Sequence, residues 1–131
     1  MIYDTLNPVE RLRDFTKWCK DVINRYEGNE QEAAYQEQVS LDLLHAIELE
    51  PKGNCPTGYA RYAALREARI ARRACKNENR LLKPLYDYLT KTNPQLLNQL
   101  PYVQGLCSQQ AEMIERMQYT PRTNILREDD K

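Results

Sequence analysis

Glycine and phenylalanine are scarce in this 131-residue chain, which has four of the first and one of the second. Few glycines leave few tight turns, which disfavours a hairpin-rich β fold, while abundant Leu, Ala, Glu, Gln and Arg favour helix. Histidine occurs once, as His45, and the four cysteines (Cys19, Cys55, Cys75 and Cys107) form no C-x-x-C pair. That spacing disfavours a zinc site and suits reduced thiols. No apolar run approaches the roughly 20 residues that span a bilayer, and the N-terminal residues lack the apolar stretch of a signal peptide. A cytoplasmic protein without a membrane partner is expected. No G-x-x-x-x-G-K-[ST], G-x-S-x-G or H-E-x-x-H motif occurs, and the E-x-x-E with a later E-x-x-D of all-α nucleotide pyrophosphohydrolases is missing at the required spacing. With one His and no Cys–His neighbours, nucleophilic catalysis has little to stand on, so neither an enzyme nor a cofactor is expected.

What the chain does have is charge, sorted by sign. Nineteen basic and nineteen acidic residues cancel, yet between Glu27 and Glu50 lie seven acids and no Lys or Arg, and between Thr57 and Lys83 lie eight bases and two acids. Both blocks read as helices joined by the turn-rich segment KGNCPTG, so each block is the other's first candidate partner. Nine tyrosines can fill core edges while keeping a hydroxyl at water or at a partner.

Periodicity predicts an all-α helical bundle built on a long antiparallel helical hairpin, with a C-terminal helix and a tail. A single domain over 1–118 and an extended or mobile tail over 119–131 are expected. Asn7 is a good N-cap with Pro8 at the first helical position. Val9, Leu12, Thr16, Cys19, Ile23 and Tyr26 then form one stripe that Gly28-Asn29 should stop. A second helix is predicted from about Glu30 to Glu50, with Tyr35, Val39, Leu43, Ala46 and Ile47 inward and Pro51 beyond its end. A third starts near Thr57 or Gly58 and runs to about Leu82, where Pro84 either ends or kinks it. A last helix is predicted over Pro101–Gln118.

On the third helix, Tyr62, Leu65, Arg66, Arg69, Arg72, Arg73, Lys76, Arg80 and Lys83 fall within about 60° of one line, opposite Ala63, Ala64, Ile70, Ala71, Ala74, Leu81, Leu82 and Leu85. The cationic line is a candidate binding surface for a protein or, as an alternative, for nucleic acid, with Arg forks on phosphates and Tyr62 free to stack. Against both stands a plain solvated face, partly neutralised by the acidic helix. Glu67 and Glu78 project among the apolar residues and need partners, which helix one or a second subunit could supply. The length of the third helix and its interrupted apolar face make a homodimer the expected assembly. Asp42, His45 and Glu48, at i, i+3 and i+6, could together touch a metal ion, but the facing helices offer chiefly Arg and Tyr, so no metal is expected.

The runs LLHAIEL, YAALREARIARRACKNENRLLKPLYDYL and YTPR resemble small uncharacterised helical proteins of Firmicutes phages and prophages. Those proteins share an H-x-[IL]-E-L element, here His45 to Leu49, and an R-x-x-R-R-x-x-K helix, here Arg69 to Lys76, ending in a [KE]-P-[LV] segment, here Lys83 to Leu85. The resemblance covers about residues 41–90 plus YTPR. It implies a helical hairpin in a phage accessory protein that binds a host protein, such as a defence or nucleic-acid-processing factor, in the bacterial cytoplasm.

Overall fold

In a computed structural model, which describes residues 6–51 and 55–117, the chain is all-α, a helical bundle built on an antiparallel hairpin. Helix α1 spans Pro8–Leu49, α2 spans Cys55–Asp87 and α3 spans Leu96–Arg116. The 119–131 tail and its YTPR run lie outside the described residues. At about 1.5 Å per residue α1 is about 63 Å long, with α2 lying against much of its length. No helix among the described residues is long and apolar enough to cross a membrane.

The first two predicted helices are one. Asn7 caps α1 as expected, its side chain accepting from Val9 N–H at 3.1 Å. The helix then continues through Gly28, whose φ is not positive, and the predicted stop at Gly28-Asn29 is not used. Local turn chemistry loses here to packing. Tyr26, Asn29 and Ala33 are all buried, so breaking the helix at Gly28 would pull three consecutive contacts off α2. Against that, glycine inside a helix costs only about 1 kcal/mol relative to alanine. Glu50 turns extended before Pro51, which ends α1.

Buried and half-buried positions of α1 recur as Cys19, Val22, Tyr26, Asn29, Ala33, Gln36 and Ser40, the 3–4 spacing of a coiled-coil seam. Tyr35 and Ile47, expected inward, are instead 62% and 49% exposed. The seam passes through Ala33 and Ser40, and these smaller side chains let the two helices approach. On α2 the matching positions are Leu65, Ala68, Arg72, Cys75, Asn79, Leu82 and Tyr86. Thr16 and Ser40 can be buried without a cross-helix partner because each hydroxyl donates to the carbonyl four residues back, Leu12 at 2.7 Å and Gln36 at 2.9 Å.

Helix α2 begins at Cys55, two residues before the predicted start, and runs through Pro84. Pro84 lies on the exposed side, where water can serve the Arg80 carbonyl that loses its intrahelical donor. A π-helical turn over Tyr88–Thr92 follows, with Asn93 N–H donating to the Tyr88 carbonyl at 2.7 Å. Helix α3 starts five residues before the predicted Pro101, which lies inside it, and packs on α1, sharing a hollow with Asn7, Pro8 and Val9 at its start. None of its residues is buried.

A Cβ placed on Gly28 would meet nothing within 4 Å. Gly28→Ala should therefore stabilise the protein by roughly 0.5–1 kcal/mol, read as a higher urea midpoint at unchanged slope. A lower midpoint would show that α1 needs a break at this position.

Candidate functional site

The hairpin seam is polar at its centre. Asn29 Nδ2 donates to Asn79 Oδ1 at 3.0 Å and to Glu78 Oε1 at 2.7 Å, and Asn79 Nδ2 donates to the Tyr26 carbonyl at 2.9 Å. Arg25 closes the network with a forked contact to Glu78, its second arm at 3.3 Å. The partner that Glu78 requires thus comes from α1; Glu67 is exposed. Beside the amides the Tyr26 and Tyr86 rings stack with centroids 4.0 Å apart at 15°. The Tyr86 hydroxyl donates to Glu27 at 3.1 Å. Burial, then that contact with a carboxylate, pushes the Tyr86 phenol above its ordinary range.

This register brings the acidic and basic blocks together. Arg69 and Arg72 both reach Glu37 Oε2, at 3.0 and 2.6 Å, and Arg61 pairs with Glu50. Lys83 pairs with Asp87 at 3.1 Å, which raises the lysine pKa and lowers that of the aspartate. The candidate line therefore divides in two. Arg69, Arg72 and Lys83 are tied within the chain, whereas Arg66, Arg73, Lys76 and Arg80 are exposed and make no ion pair among the described residues. Tyr62 is 60% exposed at the loop end of this ridge, its ring tilted against Tyr59.

Between ridge and seam lies a cleft of about 240 Å³, lined by Lys76, Arg80 and Lys83 on one wall and Glu30 and Ala33 on the other, with Tyr26, Asn29 and Asn79 also lining it. Sequence reasoning missed the contribution of Asn29, Asn79 and Glu30. A 3.5-residue period read straight across Gly28 places Asn29 on the seam, and was the available signal. Asp42, His45 and Glu48 all lie on exposed surface, and no cluster able to hold a metal exists among the described residues. Cys75 is half-buried on the seam. The sequence matches no protein family, no curated protein and no solved structure.

Hydrogen bonds from Arg25 and then Asn29 hold the Glu78 carboxyl below its ordinary pKa near 4.5. A depressed folded-state pKa means that this contribution to stability is fully present above the ordinary value and is lost as pH falls through the folded one. In urea titrations, Glu78→Gln should lower the midpoint at pH 7 and weaken its fall between about pH 5 and pH 3. Equal acid dependence in variant and wild type would contradict the assignment.

Proposed function

We propose that this is a non-catalytic interaction protein whose ridge of Arg66, Arg73, Lys76 and Arg80, with Tyr62 at its end, docks on an acidic patch of another protein. One observation carries the reading: four cations on α2 stand exposed and make no ion pair among the described residues, while their neighbours Arg69 and Arg72 are already satisfied. Exposed side chains without internal partners can spend their charge on a ligand at little cost to the fold. The resemblance to phage proteins suggests a host protein as that partner, for instance a defence or nucleic-acid-processing factor.

Nucleic acid is the alternative ligand for the same cations. Glu27, Glu30 and Glu37 run alongside the ridge on α1, and the chain has no net positive charge. A continuous phosphate backbone would pass close to those carboxylates, whereas a discrete acidic patch need not.

The test compares wild type with the triple variant R66E/R73E/R80E as baits in a Firmicutes lysate, alongside titrations with mixed-sequence DNA and RNA at about 50 mM salt. The proposal expects a protein held by wild type, released as salt rises and lost from the variant, with helicity unchanged by circular dichroism. Nucleic-acid binding with a steep salt dependence would replace the protein-partner reading. No difference between the baits and no nucleic-acid binding would overturn the functional role of the ridge.

A further inference from the structure

The cleft between ridge and seam is floored by buried side chains: Tyr26, Asn29, Ala33 and Asn79. Ala33 contributes only a methyl, which leaves room on the α1 side. The two amides of this floor are unequally satisfied. Asn29 Nδ2 uses both of its protons, on Glu78 and Asn79, whereas Asn79 Nδ2 uses one, on the Tyr26 carbonyl. No second acceptor for Asn79 Nδ2 occurs among the described residues, although the residue is only 9% exposed. The charged walls are unanswered as well. Lys76 and Arg80 on α2 and Glu30 on α1 are exposed and make no ion pair among the described residues, although all three line the same cleft. Lys83, the remaining cation of the lining, is paired with Asp87. Its pKa is raised first by Asp87 and more weakly by Glu30, which puts the Glu30 carboxylate within electrostatic reach of the cationic wall.

We propose that this cleft is the anchoring subsite of the ridge, seating one carboxylate side chain of an acidic partner segment against Lys76, Arg80 and the Asn79 amide. The inference rests on the docking role proposed for the ridge and names what its centre recognises. Two cations and a buried N–H donor in one hollow suit an anion, because charge-assisted hydrogen bonds are the stronger kind. The charge count then selects a carboxylate. The Lys83–Asp87 pair sums to zero, and the two cations Lys76 and Arg80 less the one carboxylate Glu30 leave a single positive charge. One Asp or Glu side chain cancels it. A phosphate group, carrying about −1.5 to −2 at pH 7, exceeds it and is repelled by Glu30. Glu30 thus acts as a specificity determinant. At about 240 Å³ the cleft is also smaller than the roughly 300–1,000 Å³ of small-molecule pockets, which suits the end of a side chain better than a free ligand. Arg73 and Arg66 lie seven and fourteen residues before Arg80, about 10 and 21 Å along the helix and outside the lining. They steer the acidic segment and do not hold the seated group.

Titrating the ¹⁵N-labelled full chain at low salt with a capped hexaglutamate peptide should move the Asn79 side-chain amide signal. The double variant K76Q/R80Q should weaken this binding about tenfold and R66Q/R73Q less than about threefold, although each removes two charges. Neither pair of side chains makes an ion pair among the described residues, so circular dichroism should show both variants folded. Inorganic phosphate at pH 7 should leave the Asn79 signal of wild type in place and move it in Glu30→Gln at the same concentration. Equal losses in the two double variants with an unmoved Asn79 signal would overturn the subsite while leaving the ridge as a docking surface. Phosphate acting alike on wild type and Glu30→Gln would overturn the selection of a carboxylate. No peptide binding at all would also overturn the subsite, and the lysate comparison separately decides the ridge.

Discussion

The hairpin depends on one polar contact inside its seam: the side-chain amides of Asn29 and Asn79 bonded to each other, with Glu78 and Arg25 completing the set. Small and apolar residues on either side of this point would tolerate several alignments of α1 against α2. The amides would not. Sliding one helix by a turn would leave the two buried amides without partners, each at a cost of about 1–3 kcal/mol, and would take from Glu78 its donors Arg25 and Asn29. The network adds little net attraction, but it makes the alternatives expensive, as a buried asparagine does in a coiled coil.

From that register the charge pattern follows. With Asn29 level with Asn79, the antiparallel run sets Glu37 beside Arg69 and Arg72, Glu50 beside Arg61, and Glu27 beside the Tyr86 hydroxyl. Helix α2 then presents three lines roughly 120° apart: the seam, the exposed cations and the apolar stripe. The seam builds the hairpin, and the other two lines face outward with opposite chemistry. A helix whose apolar side is turned away from its intramolecular partner is suited to pack against something else. The segregated charges of a chain with no net charge make two-sided recognition possible without a strong overall field.

Much of this was legible in the residues. Asn7-Pro8 marks where α1 begins and Pro51 closely follows where it ends, because cap and proline chemistry act locally and nothing nearby competes with them. Pairing of the acidic and basic blocks followed from their adjacency across a short loop. Gly28-Asn29 misled because a turn signal is only a local preference, while Tyr26, Asn29 and Ala33 collectively hold the helix continuous. Tyr35 misled for a related reason: large apolar residues suggest an inward face, but this seam passes through Ala33 and Ser40, where small side chains let the helices meet. The cationic line was visible as a line, yet its division into Arg69 and Arg72, paired with Glu37, and Arg66 and Arg73, without an ion pair among the described residues, depends on where Glu37 falls, which only the register decides.

The register itself can be measured. One turn from the Asn29–Asn79 contact, Ala33 on α1 and the native Cys75 on α2 come level across the seam. In a background with Cys19 replaced by alanine and Cys55 and Cys107 by serine, Ala33→Cys should be bridged to Cys75 by a short thiol cross-linker within one chain, the product keeping monomer mass on a denaturing gel. Gln31→Cys, on the outer side of α1, should not be bridged. Equal bridging at both positions, or none at Ala33→Cys in a folded protein, would contradict the alignment on which the ridge, the cleft and the apolar face all rest.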